Sequence, residues 1–358
     1  MCFHKSLVQR ESKLIDHYQA SFQSIHAELA AIKEQLLSGM AKDGPLHSLT
    51  LAEPQACYDL LTRYGREGEL PAHFKKADVA TMKSQLNLIL AFSGGGVARY
   101  HENGFNYLPT PVITAGEPHE FRFFRWGLIP FFMKDRAKAM QLRAQTLNCI
   151  SEEMFKKPSF RDALKNGQRC LIPVTGFFEW RWLDEQGTVK IPYLVTFRDQ
   201  EVRSLAGLYS RWKDPDTSEY YYSYTVLTTR ANSILQYVHN HKQRMPVVLA
   251  REEEKAWLNR DLSERDVLEL CHPSLDPAMR AYTISKLLTT RHVNTNVPEV
   301  LQPLNYNTAI AEAHRFLEAG EKKRALEAFR AAVAGESLKL DDLAHVARLE
   351  IKSELSLA

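Results

Sequence analysis

Long apolar runs are missing from this chain: nothing in it approaches the ~18–20 consecutive apolar residues needed to span a bilayer, so no transmembrane helix is expected. It also lacks the basic flank and apolar stretch of a secretory signal, because Lys5, Arg10, Glu11, Lys13 and Asp16 interrupt the N-terminus. The expectation is a cytoplasmic protein, nucleoid-associated if it is bacterial. Cysteine is sparse and scattered, at positions 2, 57, 149, 170 and 271, without the paired short spacings of a zinc site or a disulfide framework. Reduced thiols follow, and neither a metal nor an organic cofactor is expected. Excess charge is small as well: +3 overall, with a pI near 8.5, does not announce a nucleic-acid binder. Any basic surface has to be local, at Lys134, Arg136 and Lys138, at Lys156, Lys157 and Arg161, or at Lys242 and Arg244. The glycine run Gly94–Gly96 is not followed by Gly-Lys-Ser/Thr and reads as a linker rather than a phosphate loop.

What is present is globular. The 358 residues, 44% hydrophobic and 25% charged, support one large domain with additions, or two domains. Leu14, Tyr18, Phe22, Ile25, Leu29, Ile32 and Leu36 step by three or four residues and predict a long amphipathic helix, broken at most once, that ends near Gly39. Further helical segments are predicted around 51–64 and 74–92. From about Tyr100 the texture changes to short aromatic and β-branched runs at 120–126, 169–174, 176–182, 191–197 and 220–229, which predict strands. Many short strands with few intervening helices predict an α+β protein whose core is a curved, barrel-like antiparallel sheet. Beyond Asn305 the pattern is helical again, as a small hairpin or three-helix appendage.

Cys2 stands directly behind the initiator methionine. Loss of Met1 would give it a free α-amine beside its thiol, and an aldehyde can condense with the amine before the sulfur closes a five-membered thiazolidine. An α-amine has a pKa of about 7.7–8.0, so a usable fraction is nucleophilic near neutrality.

Four segments accompany Cys2: Trp126-Gly127-Leu128-Ile129-Pro130, Leu147-Asn148-Cys149-Ile150-Ser151-Glu152, Gly176-Phe177-Phe178-Glu179-Trp180, and His239-Asn240-His241-Lys242-Gln243-Arg244-Met245-Pro246. In order and approximate spacing they resemble the SOS-response-associated peptidase family of abasic-site processing proteins, over about residues 1–22 and 97–304. Residues 23–96 then read as a helical insertion and 305–358 as a helical extension. The resemblance implies a β-rich fold with a DNA-binding cleft, removal of Met1, and a thiazolidine between Cys2 and the ring-opened aldehyde of an abasic site in single-stranded DNA. It further implies DNA-damage protection, with lyase and autoproteolytic activity as companions.

Elementary chemistry supports the roles that the resemblance implies. Dehydration of a carbinolamine needs a proton delivered to the departing oxygen, which suits a carboxylic acid, and Glu179 sits alone between aromatic residues in an apolar strand. Asn148, a neutral amide, would orient the amine, and His239 would protonate the deoxyribose oxygen to assist ring opening or serve in reversal of the cross-link, with His241 as its rival. His4, Asn106, Trp126, Phe131, Phe132 and Arg244 complete the expected DNA contacts, the aromatic ones by stacking on flanking bases. Two departures stand out: Phe3-His4 replaces the family's frequent Gly-Arg, and Ile150 replaces an arginine. Both imply weaker phosphate binding and a shallower salt dependence, with Arg143 or Lys156 as potential replacements.

Competing readings are a cysteine hydrolase with Cys2 as nucleophile and His239 as base, an N-terminal Cys2-Phe3-His4 site for Cu(II) or Ni(II), and a noncovalent DNA-binding scaffold. For the helical additions, contact with a protein partner, extension of a DNA channel and simple coverage of the domain's flank all stand open, as does oligomeric state.

Overall fold

The computed structural model describes residues 2–67, 75–182, 185–188, 190–199, 201–275, 278–290 and 293–304, with Glu321 and Arg324 beyond them. The expected C-terminal helices therefore lie outside the described residues. The chain opens with strand β1 (His4–Arg10), whose partner along one edge, β2 (Gly96–Asn103), comes only after five helices: α1 (Glu11–Tyr18), α2 (Gln23–Ser38), α3 (Pro45–Ala52), α4 (Pro54–Glu67) and α5 (Lys76–Ala91). Arg10 faces Gly96 in the register, so all five helices fill the connection of one antiparallel hairpin.

The stripe from Leu14 to Leu36 is broken once. Gln19 adopts φ 51°, and Ser21 then bridges to Glu120, whose carboxylate accepts the Ser24 N–H at 2.7 Å near the start of α2. The glycine run, read as a linker, delivers the chain into β2, with the Glu11 N–H on the Gly95 carbonyl at 3.1 Å. Both β1 and β2 escaped the sequence reading because they carry buried charge, Lys5, Arg99 and Glu102, where strand patterns call for apolar residues.

Next come β3 (Pro109–Thr114), β4 (Glu117–Trp126), α6 (Arg136–Leu142), β5 (Asn148–Ile150), α7 (Pro158–Lys165), β6 (Arg169–Val174), β7 (Gly176–Trp182), β8 (Lys190–Phe197), β9 (Arg203–Lys213) and β10 (Tyr220–Arg230). The described chain is completed by α8 (Ser233–Val238), β11 (Arg244–Pro246), β12 (Val248–Leu249), α9 (Arg251–Leu258), α10 (Glu264–Glu269) and β13 (Met279–Thr283).

Strands pair in the ring β10-β4-β3-β6-β9 and back to β10, a closed five-strand barrel of antiparallel pairs except for the parallel β10–β4 contact. A second sheet, β13-β8-β7-β1-β2, lies against it. Its β2 edge is covered by the segment after β13, where Asn296 accepts from Tyr100 N–H at 2.8 Å and donates to the Ala98 carbonyl at 3.2 Å. Apolar side chains of both sheets, among them Phe124, Trp126, Ile172, Phe177 and Val195, share one core that also contains Cys2. Leu14, Phe22, Ile25 and Trp257 bind helices to a second core around Phe121 and Leu171. Helices α2 to α5 have a further core of their own, built from Leu36, Cys57, Leu61, Met82 and Leu86.

Candidate functional site

Trp126 begins the site by building its floor. Its indole is buried, stacks on Tyr224 with centroids 6.0 Å apart, and donates to the Leu147 carbonyl at 2.6 Å. That bond fixes the residue before Asn148, while β5 pairs in parallel with β10 through Val226. Gly127 turns the chain at φ 101°, where a Cβ would lie 2.8 Å from the Arg143 carbonyl oxygen, so only glycine passes without strain. Trp126 has no face left for a base; burial in the shared core excludes the stacking role expected for it.

Asn148 is buried and its Nδ2 donates to the carbonyl of Cys2 at 2.8 Å, across 146 residues of sequence. Its Oδ1 is enclosed and has no hydrogen-bond partner among the described residues. Cys2 is fully buried, and its thiol donates to the His4 carbonyl at 3.5 Å. Burial, and next the charge of Glu179, push this thiol far above its ordinary value. Glu179 thus lies close enough to act electrostatically on Cys2. Alternation along β7 explains it: Phe178 packs with Leu194 and Ile284 on one face, whereas Phe177 and Glu179 point to the face that holds Cys2. Arg181 and Lys190, the surface partners one could imagine for Glu179, turn elsewhere, to Tyr237 and over the Trp182 ring.

His239 follows α8, whose N-terminus is capped by Asn232 accepting from Leu235 N–H at 3.0 Å. It is buried, and its Nδ1 donates to the Arg244 carbonyl at 2.8 Å, which leaves Nε2 as the lone-pair nitrogen of the neutral ring. The turn is tied to β7 on both sides: Arg181 donates to the Tyr237 carbonyl, and Asn240 exchanges bonds of 3.0 and 2.9 Å with the Trp182 backbone. His239 is therefore held against the strand that carries Glu179. His241 is exposed and stacks on Trp182, centroids 3.7 Å apart.

The expected DNA contacts separate into two groups. Phe131 and Phe132, 54% and 42% exposed, form an edge-to-face pair beyond Pro130, and Asn106 is exposed on a turn whose Gly104 N–H bonds to the Phe3 carbonyl at 2.8 Å. Arg244 and His4 are engaged internally. Arg244 makes a two-pronged pair with Glu152, both bonds 2.8 Å, which holds that carboxylate at about 2. His4 bonds through Nδ1 to His101 Nε2 at 2.8 Å, and burial followed by the neighbouring imidazole pushes it down to about 3, so it is neutral at physiological pH. Arg143 lies over Tyr107, 3.9 Å from the ring centre, and donates to the Tyr221 hydroxyl at 2.9 Å.

Beneath Cys2 lies a group the sequence reading missed. Lys5 and Glu102 form a fully buried pair at 3.0 Å, with Arg99 at 3.7 Å and the Thr110 hydroxyl donating to Glu102 at 2.6 Å. Burial alone would raise Glu102, but Lys5 and Arg99 outweigh it and hold the carboxylate below its ordinary value. The available signal was three charged residues inside otherwise strand-like segments.

Fold and site together define an α+β protein in which a closed barrel and a second sheet enclose Cys2. The family model described as SOS response associated peptidase (SRAP) matches residues 75–291, and the chain belongs to that family. The abasic site processing protein YoqW of Bacillus subtilis (strain 168) is 33% identical over 208 residues, 57% of this chain and 87% of that one. The abasic site processing protein HMCES of Gallus gallus is 30% identical over 201 residues, 50% of this chain and 56% of that one. Among solved structures, a protein from Bacteroides thetaiotaomicron is 28% identical with a TM-score of 0.61, covering 85% of this chain and all of that one.

Proposed function

We propose that this chain processes abasic sites in single-stranded DNA by covalent capture through Cys2 after removal of Met1. The Asn148 bond to the Cys2 carbonyl, made on the residue that would bear the new amine and beside the buried Glu179, is the observation that carries the reading. In the proposed sequence the Cys2 α-amine attacks C1′ of the ring-opened sugar to give a carbinolamine. Glu179 protonates the departing hydroxyl, one water leaves, and the thiol adds across the resulting iminium, its proton passing to a nearby base. His239, with Nδ1 committed to a carbonyl, moves protons through Nε2 at the sugar oxygen. The enclosed Oδ1 of Asn148 is a fitting acceptor for the amine. Named relatives that process abasic sites support the substrate class.

The peptidase reading is less well supported. A thiol hydrolase needs only the Cys2 sulfur and leaves the Asn148 contact to the Cys2 backbone without a chemical role, whereas the thiazolidine uses both the amine and the thiol.

Intact mass before and after incubation with an oligonucleotide carrying one abasic site tests the proposal. A Met1-free protein that gains the oligonucleotide less one water is expected, with Cys2→Ala and a variant carrying one residue inserted before Cys2 both inert. Retention of Met1, or an adduct formed by the insertion variant, overturns the thiazolidine.

A further inference from the structure

A cavity of about 380 Å³ opens beside Cys2, a size at the lower end for small-molecule sites. Phe3 and Asn148 line it, so it borders the candidate site at the amide that holds the Cys2 carbonyl and starts one residue from Cys2. Ile150 and Phe160 supply apolar wall, and Phe3 is held by Phe105 with ring centroids 5.2 Å apart. Among the described residues, its charged lining residues are Glu153 and Lys157, which pair with each other at 3.3 Å. Both sit half-exposed at the surface, whereas the apolar wall itself offers a phosphate no partner, and removing a phosphate from water into such a wall is costly. A nucleobase has the matching chemistry: apolar faces for Phe3 and Ile150, and polar edges for the rim at Gln145 and Ser159.

We infer that this cavity is a subsite for one nucleobase next to the abasic sugar, so that the chain grips the strand beside Cys2 by an unstacked base where charged residues would grip a phosphate. The inference rests on the proposed function and deepens it. The two departures noted in the sequence, Phe3 and Ile150, are then the residues that make the subsite.

Noncovalent binding of the full chain to single-stranded DNA carrying a tetrahydrofuran residue, which has no aldehyde, isolates this step from the chemistry. Replacing the neighbouring nucleotide on one side with a second tetrahydrofuran residue is expected to weaken binding roughly tenfold, with little effect on the other side. Ala144→Trp, which fills the cavity from an exposed rim position, and Ile150→Arg should each abolish that asymmetry. Ile150→Arg should also steepen the logarithmic salt dependence by about 0.7, one added single-strand phosphate contact. Equal binding whichever neighbour is removed, an asymmetry that survives both variants, or no binding to any of these strands overturns the subsite. If the asymmetry is found but an aldehyde-bearing oligonucleotide gives no adduct, the covalent function fails and the subsite stands.

Discussion

At the scale of single residues, the site depends on one amide. Asn148→Ala removes the 2.8 Å bond to Cys2 and leaves a buried carbonyl without its donor, a loss of ~1–3 kcal/mol that would slow adduct formation roughly tenfold or more in single-turnover assays. Asn148→Asp separates positioning from charge. Its carboxylate holds the amine protonated, so the pH–rate profile should shift to higher pH, and an unshifted profile would argue that Asn148 does not face the amine. The imidazole pair makes a further prediction. His4 and His101 fall from an ordinary 6.5 to about 3 and about 4 in the fold, so the unfolded chain binds more protons below pH 6.5. Their contribution is complete above pH 6.5 and is lost as pH drops towards 4 and 3. Melting temperatures across pH 4 to 7 should fall with acid, and the His4→Gln/His101→Gln double variant should flatten that slope.

At the scale of elements, the Trp126-Gly127 turn couples the barrel to Asn148. Alanine at Gly127 adds a Cβ 2.8 Å from the Arg143 carbonyl oxygen and 2.9 Å from its Cβ in a left-handed backbone, a strain of about 1–3 kcal/mol readable in urea unfolding. Because the same turn positions residues 143–148, adduct formation should slow as well; a destabilised but fully active variant would show that the turn does not set the site. The hairpin of β1 and β2 is the complementary element. Its register places Lys5 opposite Glu102 and so buries an ion pair under Cys2, an arrangement in which losing one partner leaves an uncompensated charge.

For the molecule as a whole, helices α2 to α5 carry a hydrophobic core of their own beside the two sheets. Leu61 is fully buried in that core, away from both sheets, and Leu61→Ala should cost ~2–5 kcal/mol there. Hydrogen exchange is expected to accelerate in α3, α4 and α5 while the five-strand barrel keeps its protection. Acceleration spread evenly over both would mean that these helices and the barrel unfold as one unit. No described helix is long and apolar enough to cross a membrane.

Much of this was legible along the chain. Strand texture from Tyr100 onward led to the barrel, and the apolar stripe from Leu14 led to α1 and α2 with a single break. Cys2 and the four motifs indicated the family, because motif order and residue chemistry are properties of the chain itself. Strands β1 and β2 were not legible, since a strand bearing Lys5 or Glu102 becomes favourable only when the opposite charge arrives from almost a hundred residues away. The sequence by itself also determined which side chains could do chemistry: a cysteine at position 2, an amide, a carboxylate and an imidazole. Tertiary structure alone decided which of them face one another and which charges are spent. Arg244 is taken by Glu152, His4 is neutralised beside His101, and Trp126 is sealed under Leu147, because charge and exposure are set by burial and by distances between residues remote in sequence.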